Sequence, residues 1–237
     1  MRLWQQIRPI TSVHPTAGVP RRSGLGVALR PLEGVVGLSV GRAFGLADDM
    51  IAGMASIEGR FQGTLFLPEP VSTVVQAIRA SFDPHSAAEI APHITLVYEN
   101  EITNSAHLRE RLAEISDAIT PFRLGLSEPR TWDSGPEEGI YLSVEDVEGA
   151  IAALRGRLTA SLTCSPSASD FHPHVTLIHP GPTSPRFCRE AWYSLHRGFE
   201  PIDAFIVGSV SVIRKSGGRW PVLDSFEFGD PSASPKS

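Results

Sequence analysis

The sequence has few of the residues that build disulfide-linked, zinc-binding or membrane proteins. Its two cysteines, Cys164 and Cys188, form no CxxC pair and no Cys/His spacing typical of zinc. We therefore expect no disulfide framework, no metal and a reducing compartment. The most apolar early stretch, residues 24–47, is interrupted by Arg30, Pro31, Glu33 and Arg42, which predicts a soluble protein without a membrane-spanning helix. The first residues lack the apolar block of a secretion signal, which favours a cytoplasmic location.

Basic residues are also too few to coat a nucleic acid. The chain has 21 Lys and Arg against 26 Asp and Glu, a formal net charge of -5. A polyanion must therefore be bound by a local patch of charge. The glycines of residues 24–45 form neither of the phosphate-cradling patterns G-x-G-x-x-G and G-x-x-x-x-G-K-[ST]. We therefore predict no nucleotide cofactor.

The chain divides by composition near residue 60. With 237 residues and 41% hydrophobic content, it can bury a full core. Residues 1–47 instead contain six arginines, one acidic residue and no sustained hydrophobic period. We interpret residues 1–60 as a poorly ordered extension. An organelle transit peptide, or a start at Met50 or Met54, remains an alternative reading of the same segment. Residues 230–237, rich in Pro and Ser, are interpreted as a loose tail.

From Phe61 the hydrophobic period predicts the same order of elements twice: strand, helix, strand, helix, strand. In the first half these are 61–67, 70–82, 93–98, a helix capped by Asn104 or Ser105, and a strand from Phe122. In the second half they are 140–144, 146–162, 174–178, a helix with Pro185 in its first turn, and 202–213. A hairpin at 216–218 leads into a last strand at 220–228. An internal duplication follows, with one domain at 61–229 and lobes at about 61–130 and 139–229.

The middle strand of each half contains nearly the same hexapeptide. Residues 92–97 read PHITLV and residues 173–178 read PHVTLI. Because side chains alternate along a strand, His93 and Thr95 share one face and the apolar residues share the other. His174 and Thr176 repeat this arrangement. If the halves pack about a pseudo-twofold axis, both His-x-Thr pairs meet in one cleft.

Two imidazoles facing one cleft are suited to acid and base catalysis. Since imidazole titrates near neutral pH, one ring can accept a proton while the other donates one. This is what cleavage of a phosphodiester without a metal requires. The threonine hydroxyls can donate hydrogen bonds to phosphate oxygens as charge develops. The two rings should also titrate as a coupled pair.

The duplicated motif resembles the His-x-[Ser/Thr] signature of the two-histidine phosphoesterase superfamily, which includes the 2'-5' RNA ligase-like proteins. The resemblance covers residues 61–228. It implies an α+β fold with two lobes, in which antiparallel sheets form a central cleft and helices lie outside. It also implies metal-independent hydrolysis of RNA-type 2',3'-cyclic phosphates to 2'-phosphates, and 2'-5' RNA ligation. His93 and His174 become the acid and base, and Thr95 and Thr176 hold the phosphate. The implied partners are RNA ends or small cyclic nucleotides, bound by a monomer without a cofactor.

Three other readings remain open. The sequence His172-Pro173-His174-Val175-Thr176 resembles part of a histidine-triad hydrolase motif, but Thr176 replaces the third histidine and the motif at His93 is left unexplained. A non-catalytic module that binds nucleotides or RNA ends in the same cleft is a further alternative. The duplicated strands could also be purely structural, because strand periodicity accepts any polar residue at these positions.

Further residues are candidates for contact with the substrate. His172 falls on the face of His174 if the strand begins early. A cluster near the last hairpin can meet phosphates and stack a base: Arg214, Lys215, Arg219 and Trp220. Arg130 and Trp132 are candidates for the cleft mouth. We expect Tyr98 to point away from the histidines. The remaining histidines, His85, His107, His179 and His196, are expected in surface positions.

Overall fold

The computed structural model describes residues 59–98, 101, 104–132, 135–160, 171–179 and 185–229. The predicted extension, apart from Gly59 and Arg60, and the predicted tail lie outside the described residues. The strands are β1 (Phe61–Phe66), β2 (His93–Val97), β3 (Phe122–Trp132), β4 (Gly135–Glu145), β5 (His174–Ile178), β6 (Ile202–Val207), β7 (Ser209–Arg214) and β8 (Val222–Glu227). The helices are α1 (Val71–Phe82), α2 (Pro84–Glu89), α3 (Ser105–Ile115), α4 (Ala150–Thr159) and α5 (Pro185–Gly198), with a short 3-10 turn at Ser116–Ala118.

The strands form two antiparallel sheets of four strands each. The first sheet has the order β2-β1-β7-β8 and the second has the order β5-β4-β3-β6. In both sheets the strand with the His-x-Thr motif lies at one edge. The expected α+β fold with two related sheets is confirmed.

The two sheets exchange strands, which the sequence analysis did not predict. β3 pairs with β4 and β6 in the second sheet, and β7 pairs with β1 in the first. The sheets therefore do not coincide with the predicted lobes at 61–130 and 139–229. The predicted long strand at 202–213 is two strands, separated at Gly208 and placed in different sheets. The apolar pattern continues through this break, so hydrophobic period alone did not reveal it.

The core consists of the faces that the hydrophobic period predicted. Ile94 and Leu96 of β2 are fully buried, as are Val175 and Leu177 of β5. The helices bury one apolar stripe each: Val71, Val75, Ile78 and Phe82 in α1, Leu108, Leu112 and Ile115 in α3, and Ile151, Leu154 and Leu158 in α4. These stripes pack into a single hydrophobic core. Neither lobe therefore has a core of its own.

Side chains that accept backbone N–H groups determine where two of the helices begin. Asn104 caps α3 as predicted, accepting a hydrogen bond from the Ala106 N–H. The fourth helix begins at Ala150 rather than Asp146, because the Asp146 carboxylate accepts the N–H groups of residues 150 and 151. Val147, an apolar residue within the predicted helix 146–162, is consequently 93% exposed. The short α2 was not predicted.

The described helices are all too short or too polar to cross a membrane.

Candidate active site

The two His-x-Thr motifs meet because their strands lie at facing edges. β2 and β5 each end the order of their own sheet, and they contact each other across the gap between the sheets. His93, Thr95, His174 and Thr176 together line one cavity of about 390 Å³. All four are partly exposed, while the residues between them are buried. The predicted alternation and the predicted convergence are therefore observed.

Each histidine ring is held by a backbone carbonyl two residues earlier. Nδ1 of His93 lies 2.8 Å from the oxygen of Ala91, and Nδ1 of His174 lies 2.8 Å from the oxygen of His172. A carbonyl can only accept, so Nδ1 carries the hydrogen in both rings. In the neutral ring the lone pair is then on Nε2. Nε2 is thus the atom of each ring that exchanges a proton.

Both imidazoles favour the neutral form. Burial lowers the pKa of His93 to about 4, the Ala91 carbonyl opposes this, and the charges of Arg79 and His174 lower it further. Burial also lowers the pKa of His174, against the His172 carbonyl, and the charge of His172 adds to the effect. The dependence of His93 on His174 agrees with the expected coupling of the pair. A bound phosphate acts in the opposite direction, because a nearby anion favours the protonated ring.

Aromatic rings pack against both histidines. Trp132 and Tyr141 contact the His174 ring edge to face, with centroid distances of 5.0 and 5.4 Å. Phe66 contacts His93 in the same manner at 6.2 Å. Trp132 was predicted at the cleft mouth and instead supports His174. Arg130, predicted beside it, is exposed and pairs with Glu128.

Cations outnumber anions among the side chains that line the cavity. Arg60, Arg79 and Lys215 carry positive charge there, whereas Glu89 is the one carboxylate among the described lining residues. Two of these cations lie near the Trp220 ring, with Arg60 at 5.5 Å and Lys215 at 5.8 Å from its centroid. The cavity therefore offers positive charge within a chain of net charge -5.

The other candidates for substrate contact are only partly placed at the cavity. Trp220 lines it, as predicted. Arg214 is exposed and lies outside the lining, whereas Lys215 of the same cluster lines the cavity. The side chain of His172 is exposed and also lies outside the lining. It is the backbone oxygen of this residue that contacts His174.

The sequence analysis missed several residues of the cavity. Tyr98 was expected to point away, but β2 ends at Val97, so the alternation does not reach Tyr98 and its side chain lines the cavity. Burial raises the pKa of this tyrosine. His85 and His179 are exposed, as expected, and they also line the cavity. Their position depends on the turns at Asp83 and after β5, for which the sequence carries no periodic signal.

Two further residues of the cavity have no motif of their own. Gln62 of β1 lies beside Thr95, whose hydroxyl is 3.4 Å from the Gln62 side-chain oxygen. Arg79 comes from the buried face of α1, where an arginine is unusual. That position on the apolar stripe was the available signal, and it was not used.

Among the described residues, no group of three or more His, Cys, Asp or Glu side chains is arranged to hold a metal ion.

Comparisons with known proteins point to one family. The model of the 2'-5' RNA ligase superfamily matches residues 67–219. A crystal structure of E. coli LigT complexed with NADP+ is similar, with a TM-score of 0.51, 18% identity and coverage of 74% of this chain and 100% of that chain. A crystal structure of a phosphoesterase is similar with a TM-score of 0.51, 19% identity and coverage of 73% and 99%. At these identities the likeness shows the fold. The search of curated proteins found no match.

Proposed function

The chain belongs to the 2'-5' RNA ligase superfamily, and on that premise we propose that it is a metal-independent phosphodiesterase. Its substrates are RNA-type 2',3'-cyclic phosphates, at RNA ends or on small nucleotides, and its products are 2'-phosphates. The same cyclic phosphate can undergo 2'-5' ligation, in which the 5'-hydroxyl of a second RNA end replaces water as the nucleophile and the bond from phosphorus to O3' again breaks. The observation that supports this most is the presence of both His-x-Thr motifs in one cavity.

The geometry of the two rings supports paired acid and base catalysis. The neutral Nε2 of one histidine takes a proton from water as the water oxygen bonds to phosphorus. The bond from phosphorus to O3' breaks, and the protonated Nε2 of the other histidine gives its proton to O3'. The Nδ1 hydrogen bonds keep both Nε2 atoms available throughout. Afterwards the first ring returns its proton to solvent and the second regains one.

The remaining groups of the cavity suit a phosphate. The hydroxyls of Thr95 and Thr176 can donate to the non-bridging oxygens, where charge increases in the transition state. The excess of cations over carboxylates favours an anionic ligand. The partly exposed Trp220 offers a surface for a base. The bound nucleotide of the similar E. coli LigT complex supports testing nucleotide substrates.

Hydrolysis assays with and without EDTA test this proposal. The substrates are the four 2',3'-cyclic nucleotides and an RNA oligonucleotide that ends in a 2',3'-cyclic phosphate. We expect EDTA to have no effect, and His93→Ala or His174→Ala each to lower kcat by about 10²- to 10⁴-fold. The product should be the 2'-phosphate by ³¹P NMR. His107→Ala, an exposed position outside the cavity lining, serves as the control and should keep full activity.

The other readings correspond to other outcomes of these assays. Activity that survives replacement of either histidine contradicts the proposal. A covalent nucleotidyl-histidine in place of direct hydrolysis indicates a histidine-triad-like mechanism. Tight binding of a 2'-phosphorylated nucleotide without any turnover indicates a binding module.

A further inference from the structure

Helices α1 and α4 carry a buried arginine at the same position of their apolar stripes. In each helix the arginine follows one buried apolar residue and precedes the next by three, in the stretches Ile78-Arg79 to Phe82 and Leu154-Arg155 to Leu158. Arg79 is 3% exposed and Arg155 is 7% exposed. Buried charges normally require a partner. The two arginines therefore allow a comparison within one molecule.

Arg155 is neutralised. Its guanidinium forms two hydrogen bonds with the carboxylate of Glu101, which is also buried, and a further one with the backbone oxygen of Leu96. The ring of Phe171 covers it at 4.2 Å. Arg155 does not line the cavity. Its charge is thus balanced inside the protein.

Arg79 has acceptors but no such counter-charge. Its terminal nitrogens donate to the backbone oxygens of Ile90 and Ser86 and to the side-chain oxygen of Gln76. Among the described residues, no carboxylate lies within ion-pair distance of it. Asp83 acts on it only at longer range, because the two Asp83 oxygens accept backbone N–H groups.

One donor of Arg79 is also unused. Nε is buried and has no hydrogen-bond partner within the part of the chain that the structure describes. A buried donor without an acceptor is costly, and each such case in a folded protein calls for an explanation. Because Arg79 lines the cavity with the two histidines, an anion that enters the cavity can provide the missing negative charge.

We propose that Arg79 is the phosphate-binding cation of the cavity, kept without a protein counter-charge so that it can stabilise the negative charge of a bound phosphate. This inference rests on the proposed function for the identity of the anion. It assigns Arg79 to binding, and it assigns Arg155, its counterpart in α4, to structure alone. The two helices thus differ in whether a carboxylate forms an ion pair with the buried arginine.

Binding of inorganic phosphate, measured by isothermal titration calorimetry, tests the assignment. We expect Arg79→Gln to weaken phosphate binding about 10- to 100-fold, as loss of a hydrogen-bonding charge predicts. Arg79→Lys, which keeps the charge but not the guanidinium hydrogen bonds, should bind phosphate more tightly than Arg79→Gln. Arg155→Gln is the matched control and should leave the affinity of the folded protein unchanged. Circular dichroism establishes which variants are folded.

A variant that is expected to strengthen phosphate binding separates the effect of charge from the effect of misfolding. Asp83→Asn removes the carboxylate charge that acts on Arg79 and keeps one oxygen acceptor, so it should strengthen phosphate binding about two- to tenfold. Misfolding can only weaken binding, and an increase therefore cannot arise from damage. If Arg79→Gln does not fold, the phosphate affinity of Asp83→Asn tests the role of Arg79 by itself.

The results separate this inference from the proposed function. Unchanged phosphate affinity in folded Arg79→Gln, no gain in Asp83→Asn, or no phosphate binding by the native protein overturns the role of Arg79. Hydrolysis that depends on both histidines can persist in that case. Conversely, binding that depends on Arg79 in a protein without turnover supports this inference and contradicts the proposed hydrolysis.

Discussion

At the scale of single residues, the site depends on how two imidazoles are held. Each ring is anchored at Nδ1 by the carbonyl two residues before it, and in both cases a proline lies between. Proline fixes its own φ and has no N–H, so the two motifs share the same local backbone. Burial then lowers the pKa of both rings. The resting cavity therefore contains neutral bases beside fixed cations.

A pH titration followed by NMR of the histidine rings checks this description. We expect a midpoint near 4 for His93 and a midpoint below 6.5 for His174, with the signals assigned by His93→Ala and His174→Ala. An unfolded histidine binds its proton near pH 6.5. Above pH 6.5 the rings are neutral in both the folded and the unfolded protein. As the pH falls from 6.5 toward 4, the unfolded protein binds protons that the folded rings do not, so the free energy of unfolding decreases. A midpoint at or above 6.5 for His93 contradicts the account.

The sequence predicted the histidine and threonine positions because alternation along a strand is a local property. It placed Tyr98 wrongly because the strand ends one residue earlier than expected. It did not identify Arg79, although an arginine on the apolar stripe of α1 was visible. The bonds that hold this arginine come from Ser86 and Ile90, in and after a helix that was not predicted.

At the scale of elements, two polar links join the halves of the chain near the site. Arg155 of α4 donates a hydrogen bond to the backbone oxygen of Leu96. Leu96 belongs to β2, the edge strand that also contains His93. Asp83, at the end of α1, accepts the N–H of His179 directly after β5. Each link ties a helix region of one half to the His-x-Thr strand of the other. They hold together two edge strands that belong to different sheets.

Breaking the first link should destabilise the whole domain. Arg155→Met leaves the buried Glu101 carboxylate without a counter-charge, and we expect a loss of about 3–5 kcal/mol in the free energy of unfolding. The double variant Glu101→Gln/Arg155→Met should recover part of that loss, because no charge is then left buried. Urea denaturation measures both values. A loss below about 1 kcal/mol in the single variant contradicts a structural role for the pair.

The longer helices followed from their apolar spacing, which packing preserves. α2 did not, since six residues are too few to show a period. The division between β6 and β7 was also missed. The chain changes sheets at Gly208 while its hydrophobic pattern continues, and the choice of a pairing strand is not written in local sequence.

At the scale of the whole molecule, the duplication predicted two similar sheets and a shared cleft. It did not predict that the closing strands β3 and β7 pair with the opposite halves of the chain. This exchange joins the lobes into one core. The cavity thus lies between sheets that neither half of the chain can form alone. Its cations also face an overall negative chain, so anion binding depends on position and not on net charge.

A crystal structure with uridine and orthovanadate bound tests the central claim most directly, because the vanadium complex imitates a phosphorus atom under attack. We predict one vanadium centre in the cavity, with Nε2 of His93 and Nε2 of His174 each within hydrogen-bond distance, about 2.6–3.2 Å, of one of its oxygens on opposite sides. A complex bound by one histidine alone, or bound outside the cavity, would contradict the account.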